Sequence, residues 1–167
     1  MLGLYENFPQ TIHKTTHFTF SISNRNLQQA LVKMLHEING KTFSLKEIAY
    51  LATSQCTVIF EFGIADASNF NYLDAEELRK IMNAAKKKPL QIMDFFCSLR
   101  YYRIKEKKTP LKFDYYFIRF IFDKNLMETQ ISHERGPRYV SPEELANLVV
   151  KKVNGTFSKK VLKELKY

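Results

Sequence analysis

The sequence predicts an α+β domain: a mainly antiparallel sheet of about five strands with three to five helices packed on one face. Three observations carry that prediction. Stretches rich in β-branched and aromatic residues recur along the chain, some with strict period-two alternation. Between them lie segments whose apolar residues return every three or four positions behind recognisable caps. The last three strand-like runs follow one another directly, which favours antiparallel pairing through turns.

The first strand is read over 17–23, where Phe18, Phe20 and Ile22 alternate with Thr19, Ser21 and Ser23. Asn24 or Asn26 then caps a helix in which Leu27, Ala30, Leu31, Met34, Leu35 and Ile38 share one face, and Asn39-Gly40 stops it. Ser44 with Glu47 has the spacing of a capping box, with Leu45, Ile48, Ala49 and Leu51 as a short apolar stripe behind it. Residues 56–64 (CTVIFEFGI) suit a central, largely buried strand. Asp74 with Glu77 opens a third helix through Leu78, Ile81, Met82 and Ala85, and Pro89 ends it just after Lys86, Lys87 and Lys88, which complement its dipole. Strands follow over 92–104, 113–123 and 126–132, the last two joined by the tight Asp123-Lys124-Asn125. Ser141, Pro142 and Glu144 start a final helix whose inward face is Leu145, Leu148, Val149 and Val153. A short basic helix over 156–167 completes the expectation. No repeat or low-complexity linker divides 1–167, so one compact domain is expected, and a chain of this length buries roughly 70% of its unfolded surface.

Composition narrows the function classes. Lysine plus arginine total 26 against 17 aspartate plus glutamate, a net +9 that points to nucleic acid or another anionic macromolecule. With 45% hydrophobic residues the chain is no disordered tail. Two cysteines without a CxxC pair exclude a disulfide-rich secreted module, so a reducing, cytoplasmic setting is expected. Residues 1–10 lack the basic flank and apolar run of a leader, and no stretch approaches the 18 or so apolar residues of a membrane span. The glycines at 3, 40, 63, 136 and 155 form neither a GxGxxG nor a P-loop, and no GxSxG is present. No cofactor, metal or catalytic residue is assigned, and the enzyme reading leans to no.

Two constellations remain. The first is a basic aromatic hairpin: Arg100, Tyr102, Arg103, Lys105, Lys107, Lys108, Lys112, Tyr116 and Arg119, with Tyr101 and Tyr115 interleaved. Rings beside cations are what base stacking with phosphate contact requires. The glycine-containing consensus of an RRM is missing from Phe117-Ile118-Arg119-Phe120-Ile121-Phe122. The second is Ser132-His133-Glu134-Arg135-Gly136-Pro137-Arg138-Tyr139, in which His133, Arg135 and Arg138 precede a helix N-terminus and so suit phosphate. His13 and His17 are two histidines at close spacing without further ligands, which favours ordinary surface imidazoles over zinc.

The sequence therefore favours a non-catalytic nucleic-acid-binding or ribonucleoprotein-associated module, RNA ahead of DNA. The alternative is a protein-interaction subunit or homodimer whose long hairpin edges add to another chain. A second alternative, a metal-dependent nuclease, rests on Asp94 followed by Glu106-Lys107-Lys108.

Overall fold

A computed structural model describes residues 1–49, 56–103 and 112–166. These residues form one antiparallel sheet and three α-helices. The strands are β1 (Lys14–Thr19), β2 (Thr42–Ser44), β3 (Cys56–Asp66), β4 (Asn69–Tyr72), β5 (Ile92–Arg103), β6 (Lys112–Asp123), β7 (Leu126–Arg135) and β8 (Lys163–Glu164); the helices are α1 (Asn24–Ile38), α2 (Ala75–Lys87) and α3 (Pro142–Gly155). The strand order is β2-β3-β5-β6-β7-β1-β8, with β4 paired to β3. The α+β class stands, with eight strands where about five were expected. The additional β2, β4 and β8 have three, four and two residues, too few to impose a visible period.

Alternation divides the sheet into two faces. Val58, Phe60, Phe62 and Ile64 of β3, Phe95 and Leu99 of β5, and Ile118 and Phe120 of β6 are buried on the helix side. They meet Leu27, Leu31 and Leu35 of α1, Ile81 of α2, and Leu145, Val149 and Val153 of α3 in one continuous core. Each such fully buried side chain contributes about 1.5–3 kcal/mol. Among the described residues the opposite face carries no helix, and the N-terminal segment crosses part of it. Gly3 bridges β3 and β5, its N–H donating to Ala65 O (2.7 Å) and its carbonyl accepting from Asp94 N (2.6 Å). Its φ of +87° and the 2.8 Å that would separate a Cβ from Leu90 Cδ2 keep this position for glycine.

The caps of α2 and α3 form as the sequence implies: Asp74 accepts from Glu77 N (2.9 Å), and Ser141 with Glu144 closes a reciprocal box. Five expectations are corrected. Ser23, one residue earlier than expected, caps α1. The first strand begins at Lys14 and its ladder ends at Thr19, although Phe18 and Phe20 are buried as anticipated. After Ser44 only one 3₁₀ turn forms, Leu45–Glu47, without a side-chain cap bond, because 42–44 pair with β3; Leu51 lies outside the described residues. The basic helix expected over 156–167 is not formed by 156–166, where a turn at 156–159 leads into extended chain, and Tyr167 lies outside the described residues. There Asn154 Oδ1 accepts from Val161 N (3.0 Å) and Leu162 N (2.8 Å), binding the returning segment to α3 and delivering β8 to β1. Finally, β5, β6 and β7 are interior strands paired on both sides, so the long hairpin offers no edge to a partner sheet.

Candidate nucleic-acid interface

On the uncovered face, alternate residues of β5 and β6 bring aromatic rings into contact. Phe113, Tyr115 and Phe117 project from β6 and Phe96 from β5, with ring centroids 6.0 Å apart for Phe113–Tyr115, 5.6 Å for Phe96–Tyr115 and 5.3 Å for Phe96–Phe117. Phe70 of β4 continues the row at 5.8 Å from Phe96. Phe113 is 37% exposed, and the other three strand rings are half-buried. The stripe is therefore an apolar floor open along one side.

A bulge supplies its cation. Tyr116 pairs with His133, but the next residue of β6, Tyr115, pairs with Arg135, so Glu134 is the extra residue. The bulge reverses the parity of β7. His133 points to the helix side, while Arg135 reaches the open face with its guanidinium carbon 5.3 Å from the Tyr115 ring centroid. Sequence alternation alone puts His133 and Arg135 on one face.

At the far end of the stripe a buried ion pair anchors the N-terminal segment. Arg119 Nε and Nη2 each donate to the fully buried Asp94 carboxylate at 2.8 Å, and Tyr5 N donates to Asp94 Oδ2 at 2.8 Å. The Tyr5 ring stacks on Phe117 (5.7 Å, 8° between planes), and Phe8 lies 4.3 Å beneath the Arg119 guanidinium. Arg119 is thus committed to the fold. Asp94 has both carboxylate oxygens on Arg119 and Tyr5, which removes it from the metal-ligand set of the nuclease alternative; Glu106 lies outside the described residues. Among the described residues no cluster of three metal-ligating side chains occurs.

On the helix side of the same three strands, Asp114 is the centre of a polar hub. Its carboxylate, fully buried, accepts from Tyr101 Oη (2.5 Å), His133 Nε2 (2.8 Å), Arg138 N (2.7 Å) and Tyr139 N (3.0 Å). The loop after β7 wraps this carboxylate tightly: Gly136 has φ +120°, a Cβ there would overlap Phe113 O and Asp114, and Arg138 has φ +63°. Tyr116 donates its hydroxyl to Val140 O nearby. Burial pushes the Tyr101 and Tyr116 hydroxyls far above the usual tyrosine range, so both remain protonated donors.

The hub overturns one sequence expectation. The amides after β7 do form an anion site, but Asp114 fills it. The α3 N-terminus is also internally satisfied, by the Ser141–Glu144 box and by Glu143 in the first turn.

Other expected contacts separate by exposure. Arg103, Lys112, Arg135 and Arg138 are exposed at one end of the sheet, where β5 ends, β6 begins and β7 ends. Tyr116 and Tyr102 are corrected as stacking candidates: their rings are 0% and 7% exposed, and a base cannot reach them. Arg100 pairs with Glu61 (2.7 Å) and donates to Tyr102 Oη (3.3 Å). Lys105, Lys107 and Lys108 lie outside the described residues. The platform ring is Tyr115, flagged in sequence by the Phe113–Tyr115–Phe117 alternation, while Asp114 was announced only by a carboxylate within an aromatic strand.

The three histidines of the sequence analysis resolve into a pair and a single. His17 Nε2 lies 2.7 Å from Glu128 Oε1 across the β1–β7 ladder. His13, at the start of β1 and exposed, uses Nδ1 to accept the backbone N–H of His133 at 2.9 Å. Desolvation, with the charges of Arg138 and His133 nearby, lowers the His13 pKa below the ordinary imidazole value.

No family model, curated protein or solved structure matches this chain, so its geometry alone informs its function.

Proposed function

We propose that this protein binds single-stranded nucleic acid, RNA ahead of DNA, across the open aromatic face. The observation that supports the reading is Tyr115, held between Phe96 and Phe113 beneath Arg135 on a face that no helix of the described residues covers. Bases splayed from a single strand stack on such rings, each contributing about 1–3 kcal/mol. Arg103, Lys112, Arg135 and Arg138 at the same end of the sheet supply phosphate contacts. Duplexes hide their base faces and fit this platform poorly.

Fluorescence anisotropy with labelled single-stranded RNA, single-stranded DNA and duplex DNA from about 50 to 200 mM salt tests it. Expected is single-strand binding with a steep salt slope, weakened about 5- to 150-fold by Tyr115→Ala. Arg135→Ala flattens the slope by about 0.7. Absence of single-strand binding at the lowest salt overturns the reading. The half-open rings also suit a protein partner, and a stable homodimer in light scattering that Tyr115→Ala dissociates would favour that second reading.

A further inference from the structure

One ion pair stands beside the ring row and belongs to neither buried carboxylate cluster. Val58, Phe60 and Phe62 of β3 and Phe95 and Leu99 of β5 face the helices, so the alternate residues Glu61, Ser98 and Arg100 share the open side with Phe96 and Tyr115. The ladders set their order. Glu61 is opposite Ser98, Ser98 is opposite Tyr115, and Tyr115 is opposite Arg135, while Arg100 is opposite Phe113. Carboxylate, serine, tyrosine ring and guanidinium thus form one row across four strands. With strands about 4.8 Å apart, the Glu61 and Tyr115 backbones lie about 10 Å from each other, with the short Ser98 side chain between them.

The pair is fixed yet reachable. Glu61 Oε1 accepts from Arg100 Nη2 at 2.7 Å, and Arg100 Nη1 donates to Tyr102 Oη at 3.3 Å, which holds the guanidinium fork in place. The Arg100 and Glu61 side chains are 32% and 31% exposed. An ion pair so exposed adds little to stability. Holding it here also strands the Arg100 Nε–H, which is buried without a partner, a cost from which the fold gains nothing. Each terminal nitrogen of Arg100 has a second hydrogen, and the Glu61 carboxylate has lone pairs beyond the one that Arg100 engages. The pair therefore presents two acceptors and then a donor beside the platform.

We propose that Glu61 and Arg100 select guanine as the base stacked on Tyr115, a specificity that rests on the single-strand reading above. The Watson–Crick edge of guanine carries two donors, N2–H and N1–H, followed by the acceptor O6. The Glu61 oxygens accept the two donors, and Arg100 donates to O6. Adenine has one donor and one acceptor on that edge, cytosine a donor followed by two acceptors, and uracil a donor between two acceptors. Each of these sets an acceptor against a Glu61 oxygen, which repels it. Arg135, at the other end of the row, remains for the phosphate backbone.

The test measures fluorescence anisotropy of the full-length protein with a short labelled oligouridine whose central nucleotide is guanosine, adenosine, cytidine, inosine or 7-deazaguanosine. Expected is binding of the guanosine strand about 5- to 150-fold tighter than of the adenosine or cytidine strand. Inosine, which lacks the 2-amino donor, loses most of that preference. The 7-deaza analogue, whose Watson–Crick edge is intact, keeps it. Glu61→Gln, with its fold checked by thermal unfolding, brings the guanosine-to-adenosine ratio close to one. Equal affinity for the guanosine and adenosine strands, or preference for another base, overturns the proposal and leaves the single-strand reading intact. A guanosine preference undiminished by inosine or by Glu61→Gln, or lost with the 7-deaza analogue, overturns it too. Binding of none of the strands overturns both.

Discussion

Replacing Asp114 by alanine removes the acceptor of four hydrogen bonds at once, and the structure indicates how the cost divides. The Tyr101 hydroxyl is fully buried, so after the substitution it has no water to turn to, and losing a charge-assisted bond there costs about 1.5–3 kcal/mol. His133 is partly solvated, and Arg138 and Tyr139 belong to exposed residues whose amides can rehydrate, so each of these contributes about 1 kcal/mol or less. Relief from burying a charge offsets part of the sum. The expected loss is about 3–5 kcal/mol, a large share of the roughly 5–15 kcal/mol available to a domain of this kind. Urea denaturation at pH 7, read with an unchanged m-value, measures it. Tyr101→Phe removes one donor and leaves three, so it should cost about 1–2 kcal/mol, and the double variant should be less than additive. A loss below about 1 kcal/mol for Asp114→Ala would show that the loop after β7 is held by its own conformation and that the carboxylate is dispensable.

At the other buried carboxylate, Arg119→Met strands Asp94 without its counter-ion and should cost about 3–5 kcal/mol, most of it recovered when Asp94→Ala is added; the two unfolding curves decide this. Gly136→Ala should destabilise strongly, since a side chain at φ +120° also overlaps Phe113 O and Asp114, and thermal unfolding reads the loss. His13 predicts a pH dependence. Its folded-state pKa is lowered, so below the ordinary imidazole pKa of about 6.5 the unfolded chain binds the proton more readily, and stability declines as pH falls through that value. His13→Gln should flatten the stability profile on the acid side of about pH 6.5, and an unchanged profile would assign the acid limb to other groups.

Helix caps and hairpin runs were legible because they are local. Asp74 with Glu77 and Ser141 with Glu144 lie three residues apart, each cap side chain accepting the later residue's amide and Glu144 alone returning the bond, so spacing announces them. The choice between sheet faces was not local. In β6, Phe113, Tyr115 and Phe117 alternate with Tyr116, Ile118 and Phe120, and nothing in such a strand says which set meets the helices. The decision is made by the helices, whose leucines and valines share one buried cluster with Tyr116, Ile118 and Phe120. For the same reason the stacking role expected of Tyr116 passes to Tyr115 one residue away. The β7 bulge was equally hidden, since it arises from pairing with β6, and it alone separates Arg135 from His133. The tail over 156–167 misled through composition: its lysines and leucines resemble an amphipathic helix, yet the Asn154 carboxamide holds the chain extended.

The two buried carboxylates explain why the aromatic face stays open between fixed ends. Asp94 and Asp114 lie on adjacent strands but on opposite faces and toward opposite ends of the β5–β6 pair, since Asp94 pairs with Arg119 and Asp114 with Leu99. Asp94 draws the N-terminal segment onto Phe117 and Arg119, covering the row from one end. Asp114 draws the loop after β7 back over the helix face, so that loop cannot fold across Phe113 and Tyr115. Between them, no helix of the described residues covers Phe96, Phe113 and Tyr115, which stand on interior strands whose ladders fix their backbones on both sides. Rings on such a rigid support lose little further freedom when a ligand lands, so stacking energy is retained as affinity. It follows that weakening either anchor should harm binding beyond its effect on stability: with Arg119→Met the segment at 5–8 loses its clamp and becomes free to compete for the platform. Affinity measured well below the unfolding transition distinguishes this from partial unfolding, and affinity equal to that of the unaltered protein would show that the platform needs no brace.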